Sequence, residues 1–176
     1  MRTPSIFWTI SLLALSGAVP AAAQMVDTPM TQSCDAPADL PDAMATWRNP
    51  VTARSGAAAG SGPALVAGQA VTMELLPTPD VRYPVRPAKP GGSVSYGGVA
   101  RFTVDKAGTW RVALGSGAWV DVVKGKAAMT SVAHGHGPDC SGIRKMVDYD
   151  LQPGDYVLQV AANGTDSLPL LVTRLP

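Results

Sequence analysis

From Val71 onward, apolar and polar side chains alternate in short segments separated by Gly, Pro and Asn. Val71, Met73 and Leu75 alternate with Thr72, Glu74 and Leu76, the period of a strand with one buried face. Ala100, Phe102 and Val104 repeat the pattern, followed by Trp110, Val112 and Leu114. Val120 and Val122 stand opposite Trp119 and Asp121, and Ala127 to Ala133 offers another strand. Val147, Tyr149 and Leu151 come next, then Tyr156, Leu158, Val160 and Ala162, then Leu168, Leu170 and Val172. Ala107-Gly108, Gly115-Ser116-Gly117 and Pro153-Gly154-Asp155 supply turns, and Asn163-Gly164 is a strong hairpin signal. Helical periodicity is sustained nowhere after the N-terminal apolar run. The pattern predicts an all-β protein, an antiparallel β-sandwich of jelly-roll-like type with a short N-terminal helical or irregular segment.

Breaks in the alternation mark the organisation. Residues 24–33 read as a disordered lead-in, and Asp39 to Trp47 as a short helix capped by Asp39 and ended by Pro50. Ala53 to Gly62 has the composition of a small-residue linker. Leu76 to Pro90 holds Pro77, Pro79, Pro84, Pro87 and Pro90, which cannot donate to a sheet ladder, so an extended surface connection is expected. Gly91-Gly92 and Gly97-Gly98 bound a flexible approach to the main strands. The expected divisions are a signal peptide over 1–23, an N-terminal segment and linker over 24–62, and a sandwich over 63–176.

The N-terminus changes the picture by assigning a compartment. Arg2 precedes the apolar stretch Ile6 to Val19, and Ala21-Ala22-Ala23 matches what a signal peptidase reads. The run falls short of the roughly 20 apolar residues of a membrane span, so cleavage is expected and no membrane anchor remains. The mature chain is expected in the periplasm or secreted. Loss of Arg2 leaves 13 basic against 13 acidic side chains, which removes the electrostatic case for nucleic acid. In an oxidising compartment Cys34 and Cys140 read as a disulfide, with free thiols serving as metal ligands the alternative. Closing so long a loop is worth roughly 4–5 kcal/mol in the chain-entropy model.

Candidate chemistry concentrates in one stretch, Ser131 to Gly142, which contains both histidines. In an extended segment His134 and His136 share a face, where two imidazoles could reach one Cu, Zn or Fe ion, with Asp139 adding an oxygen ligand. The competing reading is a Gly-rich loop with solvated histidines. Ile143-Arg144-Lys145-Met146 adds a small basic spot that could hold an anionic ligand, with Arg144 a candidate contact; the competing reading is two exposed cations at a strand start. Trp119, on the face opposite Val120, is a candidate ring-stacking surface unless the N-terminal segment covers it. Asp148 and Asp150 share a face and read as solvated charge. No Gly-x-Ser-x-Gly elbow occurs, and Ser141 has no evident base.

Two resemblances follow from particular phrases. Phe102-Thr103-Val104, Ala107-Gly108-Thr109-Trp110-Arg111-Val112 and Leu151-Gln152-Pro153-Gly154-Asp155-Tyr156 resemble the β-sandwich modules appended to secreted bacterial peptidases, over roughly residues 98–173. That resemblance implies a jelly-roll-like binding or stabilising module without catalysis. Lys89 to Gly98 together with Ala133 to Asp148 is similar to short exported bacterial proteins, some labelled homogentisate 1,2-dioxygenase. The label implies an iron-dependent oxygenase with two His and one Glu ligand, which His134, His136 and Glu74, the sole glutamate, could match by count. The enzymes of that name are longer cytoplasmic cupins, and a further ligating His from a later strand has no counterpart here.

The sequence therefore reads as an exported, non-catalytic β-sandwich that binds a small ligand, a metal or an envelope protein, or is purely structural. A metal-dependent dioxygenase is the alternative.

Overall fold

The structure, a computed structural model, describes residues 34–176. The expected signal peptide over 1–23 and the lead-in over 24–33 lie outside the described residues. No helix among the described residues is long and apolar enough to cross a membrane.

Among the described residues twelve strands form in chain order: β1 (Val51–Arg54), β2 (Ala64–Leu65), β3 (Val71–Glu74), β4 (Leu76–Pro77), β5 (Tyr96–Val104) and β6 (Gly108–Leu114) come first. They are followed by β7 (Trp119–Lys124), β8 (Ala127–Ala128), β9 (Ser131–Gly135), β10 (Lys145–Leu151), β11 (Gly154–Asn163) and β12 (Ser167–Arg174). The first sheet runs β1-β3-β12-β6-β10-β9, and the second β2-β5-β11-β7-β8, with β4 also on β5. From β3 to β12 the chain winds back and forth between the sheets like a jelly roll, with β4-β5, β7-β8 and β9-β10 as consecutive strands of one sheet. The roll itself is antiparallel; β1 on β3 and β2 on β5 add parallel pairs, so both sheets are mixed.

The alternation in the sequence is spent on one shared core. Phe102, Val104, Trp110, Val112, Leu114, Val120, Val122, Val147, Tyr149, Leu151, Tyr156, Leu158, Leu168, Leu170 and Val172 all face it. The Phe102 ring lies 6.1 Å from Trp110 and 5.6 Å from Tyr156, distances at which rings pack edge-on or offset.

A 3-10 helix, Asp42–Arg48, covers the outer face of the first sheet. Met44 and Trp47 pack there on Ala70, Ala113, Ile143 and Leu171. Ala113 and Leu171 are the outward positions of otherwise core-facing strands, and burying them requires this extra cover. The Trp47 indole donates to the Ser141 carbonyl at 2.9 Å, and the Ser141 hydroxyl donates to the Pro138 carbonyl at 2.6 Å, so Ser141 shapes a loop. Asp39 is not the cap: Pro41 occupies that position, without a side-chain cap. The cystine Cys34–Cys140 joins the segment before this helix to the loop after β9, with Cα atoms 5.5 Å apart.

Four local expectations are overturned. The supposed linker carries β1, and Ser55 and Gly56 are buried, with Gly56 bridged to Val99. Gly97-Gly98 is not a flexible approach but part of β5: a Cβ on Gly97 would lie 2.0 Å from the Tyr83 hydroxyl, so glycine permits the close packing. Ala127 to Ala133 splits into β8 and β9, one in each sheet. Asn163-Gly164 makes no hairpin, because β11 and β12 lie in different sheets. Asn163 is instead buried; its amide donates to the Thr165 carbonyl at 2.7 Å and its oxygen accepts from Ser116 at 2.6 Å.

Candidate functional site

β8 and β9 are edge strands of opposite sheets, and the sandwich opens between them. A cavity of about 560 Å³ lies there, within the usual range for small-ligand sites. Val120, Met129, Val147 and Tyr149 supply its apolar and aromatic lining.

β9 reaches this cavity through a bulge. Tyr149 pairs with Ser131 and Val147 with His134, so three steps on β9 oppose two on β10. Val132 is the extra residue, 55% exposed. An extra residue inverts the in-out alternation beyond it, so Ser131 and His134 both line the cavity.

β7 contributes Trp119 and Asp121, two residues apart and therefore on one face. The Trp119 indole N–H donates to Asp121 Oδ2 at 2.9 Å, and Gln159 Nε2 donates to the same oxygen at 2.7 Å. Gln159 is fully buried and sits opposite Asp121 on β11. Its Nε2 also donates to the Val85 carbonyl at 3.0 Å, fastening the proline-rich connection over the second sheet. That connection brings Lys89 to the cavity. Lys89 Nζ lies 5.8 Å and Lys145 Nζ 5.3 Å from the Trp119 ring centroid, within cation–π range. Lys145 also donates to the Ala118 carbonyl at 2.9 Å.

Two ammonium groups therefore share one ring, and Asp121 is the one carboxylate among the described residues lining the cavity. Burial first, and the neighbouring Lys89 charge second, push the Lys145 pKa down from the ordinary lysine value; Asp121 opposes this. The Tyr149 phenol is pushed above the tyrosine range, first by burial and then by Asp121, and donates to the Val120 carbonyl at 3.3 Å.

The sequence candidates divide between two places. His134 and Trp119 reach this cavity. His136, Asp139 and Arg144 line a second, smaller cavity of about 360 Å³ beside the cystine. There His136 Nδ1 donates to the Arg144 carbonyl at 2.9 Å. The two histidines thus do not converge, since His136 falls past the end of β9. Among the described residues no group of three or more His, Cys, Asp or Glu is arranged to hold a metal ion. Glu74 stands on β3, four strands from β9, and pairs with Arg54 at 3.0 Å. Trp119 is half-buried and flanked by Lys89 and Lys145. Asp148 is buried, not solvated: Arg111 holds it through two bonds of 2.8 Å.

Sequence reasoning placed Lys145 in a basic spot able to hold an anion but not in this cavity, and it missed Asp121 and Lys89 as site residues. Lys145 was legible, because Val147 and Tyr149 face inward and the same alternation runs back to position 145. Lys89 carried no such signal, lying in a connection without period. Compared with known proteins, the chain matches no protein-family model and no curated sequence.

Proposed function

We propose that this is an exported, non-catalytic binding protein of the periplasm or cell exterior, holding a small ligand between β7, β9 and β10. The observation that carries this reading is convergence. Trp119 and Asp121 from β7, His134 from β9, Lys145 from β10 and Lys89 from the proline-rich connection reach one cavity with an apolar floor. The N-terminal Arg2, apolar run and Ala21-Ala22-Ala23 support export. The dioxygenase alternative would draw its ligands from His134, His136 and Glu74, which the fold spreads over β9, the segment after it, and β3. The binding reading needs no rearrangement.

The test is a small-molecule screen of the mature protein by amide NMR. Binding should shift resonances of β7, β9 and β10 together, and Trp119→Ala should abolish those shifts. Shifts that ignore Trp119→Ala, or that fall only elsewhere, would reject the site. Metal analysis of the same material probes the histidines separately. Stoichiometric copper, zinc or iron that is lost in His134→Ala/His136→Ala would replace this reading with a metal-dependent one.

A further inference from the structure

We infer that the ligand of this cavity is an organic anion, its carboxylate or phosphate head held by Lys89 and Lys145 and its body lying on Met129 and Val147. The inference rests on the binding reading above and names the class of molecule that the site takes.

The charge balance points this way. The ion pairs between described residues are Arg54–Glu74 and Arg111–Asp148, and among the described residues neither cavity lysine has a carboxylate partner. Asp121 is near, but its Oδ2 already accepts from Trp119 and from Gln159. Lys145 directs one N–H to Ala118 and keeps the rest of its donor capacity. Two cations are thus drawn to one indole and left without a full counter-charge, in a recess that burial makes less polar than water. An anion placed between them removes their mutual repulsion and gains charge-assisted hydrogen bonds. The Lys145 pKa, lowered first by burial and then by the Lys89 charge, agrees with that picture, since a bound anion would offset the second cause.

The same geometry argues against a neutral sugar stacked on Trp119. Both ammonium groups lie within 6 Å of the ring centroid, at 5.8 and 5.3 Å, and a sugar would have to displace them. An anion uses them where they stand. The apolar lining from Val120, Met129 and Val147 then selects a head attached to a hydrocarbon body over a bare inorganic ion.

Matched probes test the inference: benzoate, phenyl phosphate, benzamide and inorganic phosphate, titrated into the mature protein by NMR. Benzoate or phenyl phosphate should bind at least about tenfold more tightly than benzamide, the equivalent of about 1.4 kcal/mol. Whichever of the two binds better identifies the head as carboxylate or phosphate. Lys145→Gln and Lys89→Gln should each weaken the anions by about tenfold and leave benzamide unchanged. Lys89 is exposed, so its variant keeps the test valid should Lys145→Gln disturb folding. Equal binding of benzoate and benzamide, or anion binding indifferent to both substitutions, overturns the anionic class while the cavity remains a binding site. Inorganic phosphate binding as tightly as phenyl phosphate overturns the role of the apolar body. If no probe, benzamide included, shifts a cavity resonance, the binding reading falls together with this one.

Discussion

On its outer face β10 presents Met146, Asp148 and Asp150; on its inner face it presents Lys145, Val147 and Tyr149. The outer polar groups are closed by their cross-strand partners on β6. Asp148 sits opposite Arg111 and takes both fork bonds, and Asp150 sits opposite Thr109 and accepts its hydroxyl at 2.8 Å. The inner face runs from core at Tyr149 to an unbalanced cation at Lys145. One strand thus carries a finished charge pair on one side and an available charge on the other. Burial alone does not separate these cases; the presence or absence of a partner does, and this distinguishes a structural ion pair from a binding group.

The strongest way to break this comparison is Asp148→Ala. It strands the Arg111 guanidinium, whose side chain is only 23% exposed, on the outer face of the first sheet. A loss of about 2 kcal/mol is expected in urea unfolding, between the values for exposed and fully buried pairs. Replacing both partners by apolar residues should recover part of it. A loss indistinguishable from zero would show that the outer face is no more closed than the inner.

Tyr149→Phe should cost about 1 kcal/mol, the worth of one buried hydrogen bond. Its pH dependence is more telling. The unfolded phenol ionises near pH 10, while burial raises the folded values of Tyr149 and Tyr83. The folded state therefore keeps its protons longer; stability is full below pH 10 and falls as pH rises beyond it. In Tyr149→Phe that alkaline slope should be shallower, and an unchanged slope would contradict the burial argument.

Lys145→Met should have the opposite sign, a higher thermal midpoint at neutral pH. The folded pKa of Lys145 is lowered, so the buried charge costs stability at neutral pH and that cost fades as pH rises toward 10.5. The gain of the variant should shrink over the same range. A lower midpoint at neutral pH would mean that Lys145 is a structural group like Asp148. Smallest of all, His136→Ala should change stability by less than about 0.5 kcal/mol, since its bond to Arg144 is exposed.

The comparison also shows how far the pattern of residues could be read. Period-2 alternation placed Trp110, Val112, Tyr149, Leu158 and Leu170 in the core, because a strand with one dry face admits no other arrangement. The same rule applied to β10 could have flagged Lys145, and applied to β7 it did set Trp119 and Asp121 on the outward face. It erred at Asp148, because an outward position on a sheet says nothing of whether a facing strand supplies an arginine. At His134 and His136 the rule runs out, because equal spacing implies a shared face only while the strand continues, and β9 ends at Gly135.

By itself, then, the sequence determined an all-β chain, its core-facing positions, and a cystine between its only two cysteines, all matters of local period and composition. Tertiary structure decided which strands pair, that Asn163-Gly164 crosses between sheets, and that a bulge at Val132 turns His134 inward. It also decided that Lys89, far from any strand pattern, lies beside Lys145 on the Trp119 ring. The physical reason is common to these cases. Periodicity records how a residue relates to its own strand, whereas a binding site depends on register and packing between segments distant in the chain, which no local pattern encodes.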